Sequence, residues 1–309
     1  MGKKIMKLAV LAKIETVKGT DPVPTGAANA ILVSEPQVTP LEGETATRNN
    51  VKPWFGSEGS VQASQYSKLS FSVELAGSGT AGTKPAWEPL MRACGCSVTV
   101  SAGVSVTFAP VTNNIESLTL YCNIDGTNHV LTGAQGTVKI ATDAKGIPKL
   151  QFEFTGLFNA LAAVALPTPV YTAFKDPVPV NKANTTLSLH TVSLAASSFS
   201  WDIGNKVVKR DLMTIDSVEI TDRESVGQIV FENTDIGVKD WVGTVLANTK
   251  GPLQLTHGKT AGNIIEINGP LTQPQKPTYS DSDGIQMLNV PLVFCTGANG
   301  NDEWSIVVR

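Results

Sequence analysis

The chain writes one unusual phrase twice. DPVPTGAANAIL starts at Asp21 and DPVPVNKANTTL at Asp176, 155 residues later, with seven of the twelve positions identical. Self-similarity at half the chain length constrains the fold more than any single motif, because each copy must be a unit that folds the same way. The 309 residues suffice for two units of about 150 residues each. Asp-Pro followed by Val-Pro holds the backbone extended, so the phrase reads as the entrance to each unit.

Other features recur in the same order. KLSFSVEL (68–75) alternates Leu69, Phe71, Val73 and Leu75 with polar residues, the period of a half-buried strand. GQIVFE (227–232) repeats it with Ile229 and Phe231, and both carry a glutamate after the last matched apolar residue, Glu74 and Glu232. Each is followed by a loop and a short helical pattern anchored by a tryptophan. In the first copy Trp87, Leu90, Met91 and Cys94 fall on one helical face; in the second Trp241 leads to Val245 and Leu246. Gly95, Asn248 and Gly251 supply stop signals, and Pro89 is compatible with a first turn. Finally DAKGIPKLQFEFTG (143–156) matches DSDGIQMLNVPLVFCTG (281–297). The second copy is about 16 residues shorter between the helix and this turn, the length of a loop or hairpin. The expected layout is an arm over 1–19, a first domain over 20–156, a linker over 157–175 and a second domain over 176–309.

Hydrophobic residues make up 41% of the chain, which allows a packed core, and the Gly, Pro, Ser, Thr and Val content suits short strands joined by turns. The formal charge is −3 and the basic residues are scattered, which argues against a protein that grips nucleic acid. Cys94, Cys96, Cys122 and Cys295 lack metal-ligand spacing and read as small buried hydrophobes of a reducing compartment. In MGKKIMKLAVLAKIE, Lys7 and Lys13 cut the apolar run to five residues, so it reads as a strand or arm rather than a signal peptide. LFNALAAVAL (157–166) is too short to span a bilayer. No membrane is expected as a partner.

Catalytic motifs are missing: there is no GxSxG, HExxH, P-loop or GxGxxG. His129, His190 and His257 stand alone and read as packing or surface residues. The DSD run at 281–283 lacks the further ligands of a calcium loop and reads as a solvated turn. Trp87 and Trp241, at matched positions, read as core anchors. The expectation is a chain that is no enzyme, with no catalytic residue, no metal and no cofactor.

Two stretches carry a resemblance. LAKIETVKGTDPVPTGAANAILVSEPQVTPL (11–41) resembles the start of tail tube proteins of long, non-contractile-tailed bacteriophages and prophages, and SFSWDIGNKVVKRDLMTIDSVEITDRESVGQIVFE (198–232) resembles a second signature of that family. The resemblance implies a mainly β fold: two tandem β-sandwich or open-barrel tail-tube domains, each with one short flanking α-helix. It implies subunits that join sheets edge to edge into rings, and rings that stack into a hollow tube for DNA during genome ejection. A chain with two fused domains would close such a ring with three copies, a pseudo-hexamer. Implied partners are further copies of the chain, the tape measure, tail terminator and distal tail proteins, and double-stranded DNA in passage only. The implied location is a virion tail assembled in the host bacterial cytoplasm.

Two sets of residues follow as candidates. A polar, glycine-rich stretch with exposed-type aromatics (41–60) and its counterpart (203–217) are the loops expected to reach a neighbouring ring. They contribute Arg48, Lys52, Trp54, Phe55 and Glu58, and Lys206, Lys209, Arg210 and Asp211. The polar faces of the alternating strands give the expected lumen residues: Ser70, Ser72, Glu74, Gln228, Val230 and Glu232. The competing reading is a surface-binding β-sandwich such as an adhesin, tail fibre or carbohydrate-binding module, for which Trp54 and Phe55 are the one aromatic feature.

Overall fold

The computed structural model describes residues 2–309. The first half runs β1 (Leu8–Ile14), α1 (Gly26–Asn29), β2 (Ala30–Ile31), β3 (Ser34–Glu42), β4 (Thr45–Thr47), β5 (Ser60–Gln62), β6 (Tyr66–Glu74), α2 (Glu88–Ala93), β7 (Cys96–Ser101), β8 (Ser105–Pro110), β9 (Leu118–Ile124), β10 (Thr127–Asp143) and β11 (Lys149–Phe158). After β12 (Ala162–Ala163), the second half runs β13 (Thr185–Leu189), β14 (Val192–Ser193), β15 (Ala196–Asp202), β16 (Asn205–Leu212), β17 (Ile215–Arg223), β18 (Val226–Glu232), α3 (Trp241–Leu246), β19 (Gly251–His257), β20 (Ile265–Pro274), β21 (Thr278–Ser282), β22 (Ile285–Phe294) and β23 (Ser305–Val308). The fold is mainly β, as expected, with sheets and three short helices.

Both halves place their strands in the same neighbour order. In the first, β2, β1, β9, β10, β11, β6 and β3 follow one another. In the second, β14, β13, β19, β20, β22, β18 and β15 do. The registers correspond too: Leu150 faces Val73 and Phe152 faces Phe71, while Leu288 faces Phe231 and Val290 faces Ile229. One pair exchanges volume. Val38 faces Leu69 in the first half; at the matching place Trp201 faces Gly227. A Cβ on Gly227 would come within 2.9 Å of the Ser200 carbonyl oxygen and 3.0 Å of the Phe294 ring, so the glycine makes room for that ring.

Three differences separate the halves. The hairpin of β7 and β8 follows α2 only in the first half, which accounts for the length missing from the second. The 17-residue β10 corresponds to two pieces, β20 and β21, interrupted at 275–277. The repeated phrase itself sits differently: Asp21 follows the first sheet strand of its half, whereas Asp176 precedes the first of its own. The segment expected as an arm carries β1, which pairs with β9 at seven positions. Glu15, just past it, is buried and accepts hydrogen bonds from the hydroxyls of Ser117 and Thr119 and the amides of Gly19 and Gly133, at 2.6–2.7 Å.

The helices form as their tryptophans suggest. Trp87 is 1% exposed, donates its indole N–H to the Ala76 carbonyl at 2.8 Å and packs on Phe108; Pro89 occupies the first turn and Gly95 takes the left-handed conformation beyond the end. Trp241 is 3% exposed and packs edge-on against Phe231, while the Asp240 carboxylate caps α3 by accepting from the Gly243 amide. Cys94, Cys96 and Cys122 lie in the core, where burial pushes the Cys122 thiol up to about 12.

Strand pairing joins the halves twice. The far end of β10 pairs with β15, from Lys139 opposite Asp202 to Asp143 opposite Ser198, and β8 pairs with β23. Arg223 adds a buried clasp, with an ion pair to Glu303 at 2.6 Å and a hydrogen bond to the Val111 carbonyl in the first half. The pairings gather nineteen strands into one barrel-like sheet. Traced pair by pair they branch without returning to their start, so among the described residues β3 has a strand partner, β6, on one edge alone, and β21 has β22 alone.

Candidate functional site: a polar sheet face and two projecting hairpins

In a strand, alternate side chains share a face, and directly opposed residues of neighbouring strands share it as well. Ser70, Ser72 and Glu74 on β6 stand opposite Glu153, Gln151 and Lys149 on β11. Those stand opposite Thr137, Lys139 and Ala141 on β10. Across the seam come Asp202, Ser200 and Ser198 on β15, then Val226, Gln228 and Val230 on β18. One row reads Glu74, Lys149, Ala141, Ser200, Gln228, Pro291. The six residues expected to line a lumen therefore share one continuous sheet face that crosses the seam. Their exposure varies: Ser72 is buried, Ser70, Glu74 and Val230 are half-buried, and Gln228 and Glu232 are exposed. Gln37, Lys139, Gln151, Glu153 and Asp202 belong to the same face and were missed. For Gln151 and Glu153 the QFEF alternation at 151–154 was the signal in the sequence.

The electrostatics of this face follow from who sits beside whom. It carries Glu74, Asp143, Glu153, Asp202 and Glu232 against Lys68, Lys139 and Lys149. Each lysine is matched by a carboxylate: Lys68 with Glu42 at 3.5 Å, Lys139 with Asp202 at 3.0 Å and Lys149 with Glu35 at 3.7 Å. The face is net acidic and its cations are already engaged.

The two stretches expected to reach outward are both hairpins, each inserted between matching strands. In the first half β4 and β5 pair from Thr45 opposite Gln62 to Thr47 opposite Ser60, with a long tip between them. Within the tip Glu58 accepts from Asn50 at 2.7 Å and pairs with Lys52 at 2.5 Å, so those charges hold the loop in shape. The apolar groups are left to solvent: Val51 is 99% exposed, Trp54 68% and Phe55 107%. Arg48 is exposed as well.

In the second half β16 and β17 form a longer ladder from Asn205 opposite Arg223 to Leu212 opposite Ile215. Its base packs across the first half. Asn205 donates to the Cys94 and Gly136 carbonyls, and the Ile220 amide donates to Gln135 at 3.0 Å. Lys206, Arg210 and Asp211 are exposed. Lys209 is not free: it is folded between Asp211 and Asp216, and although burial works against its charge these carboxylates hold its pKa above the ordinary lysine value. The tip exposes Leu212, Met213 and Ile215, with Met213 at 106%, an apolar end that charge patterning did not reveal. Gly43, Glu44 and Ser64 at the base of one hairpin and Val207, Val208 and Lys209 of the other border one cleft, so the hairpins lie side by side.

The histidines take no part in this surface. His190 and His257 are buried and bonded to backbone carbonyls of Thr272 and Val178 at 3.1 Å, and burial lowers the pKa of both and of His129.

In a comparison with known families, the model described as Phage tail tube protein matches residues 7–294, nearly the whole chain, and the chain belongs to that family. No curated protein matches it.

Proposed function

We propose that this member of the phage tail tube family closes into rings that stack into a hollow conduit, with the polar face of its sheet lining the lumen and DNA passing through during ejection. The family is structural rather than enzymatic and its members are components of the virion tail. The finer reading assigns two tandem tube units to each chain, so that three chains give six units around the axis in a non-contractile tail. Assembly takes place in the host bacterial cytoplasm, with tape measure, tail terminator and distal tail proteins as the further contacts.

One observation carries the reading: the acidic, lysine-neutralised face runs unbroken from the first half into the second through the β10–β15 seam. A passage for DNA must not hold phosphate, and every free cation on its wall would add a salt-dependent contact. Lysines already paired with carboxylates meet that requirement. The hairpins, with Lys52 and Lys209 held by carboxylates of their own loops and their apolar ends exposed, suit contacts along the tube axis.

Electron microscopy of the purified protein tests this directly. The expected result is rings or tubes, with helical reconstruction giving three chains per ring and Ser70, Glu153 and Gln228 on the inner wall. Compact monomers at high concentration, or a tube with this face outward, would overturn it.

A further inference from the structure

The seam inside the chain is a template for the seam between chains. Within one chain the far end of β10 pairs along its free side with β15 at five positions. The second half owns a counterpart of that end, β21, which pairs with β22 as the end of β10 pairs with β11. The first half owns a counterpart of β15, namely β3, which pairs with β6 as β15 pairs with β18. Both counterparts leave that second edge without a strand partner among the described residues. We infer that β21 of one subunit pairs antiparallel with β3 of a second copy of this chain, Tyr279 opposite Val38 and Ser280 opposite Gln37. This rests on the ring reading above and specifies which edges close the ring and in what register.

The register comes from the ladders already formed. Ile140 faces Leu150 on one side and Trp201 on the other; Tyr279 faces Leu288, the residue that matches Leu150. Trp201 faces Gly227; Val38 faces Leu69, the residue that matches Gly227. Tyr279 therefore stands where Ile140 stands, and Val38 where Trp201 stands. The difference is burial. Ile140 and Trp201 are 0% and 1% exposed, whereas Tyr279 is 62% exposed on the core-facing side of its edge strand. An aromatic ring left at a sheet edge beside a partly buried valine is an unfinished piece of core, and the matching strand of a second copy completes it.

The edges are shaped for one partner. Pro36 lies in the bulge between Ser34 and Gln37, and Pro40 lies just past Thr39, so the two prolines bracket the short run left to pair. β21 is five residues long and ends in a two-residue turn, Asp283-Gly284, with both residues in the left-handed region that such a hairpin requires. The chain-to-chain seam lacks one support of the internal one. The second half has no counterpart of the β7–β8 hairpin, which in the first half reaches β23. The new joint depends on the β21 ladder alone, and its sensitivity to Tyr279 is correspondingly high.

Paired cysteines test the register. Ser280 and Gln37 are both exposed on the polar face, and opposed positions in an antiparallel ladder are close enough for a disulfide or a short thiol cross-linker. The full chain carrying Ser280→Cys and Gln37→Cys should form a covalent ladder that stops at the ring size, while each single variant and a control pairing Ser280→Cys with Thr99→Cys on β7, which has β8 as its one strand partner among the described residues, should stay monomeric on denaturing gels. Tyr279→Asp should keep the thermal unfolding of the isolated chain and lose the rings. Rings and tubes without the Ser280–Gln37 cross-link, or with the Thr99 cross-link instead, would overturn this joint and leave the conduit reading standing. Wild-type chains that never form rings would overturn both.

Discussion

Ile140 and Trp201 stand directly opposite each other across the seam between the two halves, both removed from solvent. Trp201 also packs edge-on against Trp304 with centroids 4.7 Å apart, so one side chain ties β10 of the first half to the end of the chain. Trp201→Ala should cost roughly 3–5 kcal/mol, the usual range for emptying a buried tryptophan site. Trp201→Phe should cost clearly less than that, because the indole N–H it removes is buried with no acceptor among the described residues. Urea unfolding of the two variants, read against wild type at equal m-value, checks the order.

Much of this architecture was legible beforehand, and the physical reason is periodicity. Leu69, Phe71 and Val73 alternate because β6 has one apolar and one polar face, and QFEF in β11 does the same. Trp87 and Trp241 marked the helices because a large ring at a helix start has to be buried somewhere. The missing length in the second copy was the β7–β8 hairpin. The repeated phrase was less informative than its identity suggested. Extended Pro-rich backbone fits before a first strand or after one, and the chain uses it in both ways. Residues 9–12 of β1 are buried in succession, so that strand shows no alternation by which to separate a sheet member from an arm. Which residues share the polar face depended on the register of five neighbouring strands, and no local pattern encodes that. The hairpin tips were found through Trp54 and Phe55, but Met213 escaped because a single methionine in a charged stretch has no periodic signature.

Stability should fall on mild acidification. His129, His190 and His257 are held below the ordinary histidine pKa by burial. A group whose folded pKa is depressed in this way binds its proton more readily when unfolded, so folding is undisturbed above about pH 6.5 and weakens as pH falls through and below that value. The slope is at most about 1.4 kcal/mol per pH unit for each histidine. Melting temperatures between pH 7.5 and 5.5 should decline. His257→Gln should flatten the decline, since His257 bonds both Thr185 at 2.8 Å and Val178 at 3.1 Å in its uncharged form.

Reversing charge on the polar face should turn a passive wall into a sticky one. Glu153 and Glu232 carry no ion pair among the described residues, and both are exposed. Glu153→Lys with Glu232→Lys leaves the core untouched, so tubes should still form, because surface changes of this kind stay within about 0.5 kcal/mol. Repeated around and along the tube, the added lysines should retain short double-stranded DNA at low salt and release it as salt rises. Co-sedimentation of preassembled tubes with labelled DNA across a salt series gives the answer. Equal, negligible retention by wild type and variant would place this face away from the lumen.

The hairpin tips lead to a separate expectation, because each exposes a large apolar side chain while a lysine of the same hairpin is held by its own carboxylates. Phe55 and Met213 are fully exposed, and Lys52 and Lys209 are held by carboxylates of their own hairpins. An exposed aromatic at the end of one preshaped loop and an exposed methionine at the end of the other have little to gain from water and much to gain from a second surface. If that surface belongs to the next ring, Phe55→Asp and Met213→Asp should leave the melting temperature of the isolated chain unchanged, since neither side chain contributes to its core. Ring closure should persist as well, because Phe55 and Met213 lie outside β3 and β21. Stacking should be what fails: micrographs should show single rings or short stacks where wild type gives long tubes, with the double variant more severe than either single one. Long tubes from the double variant would show that axial contacts run through another part of the chain.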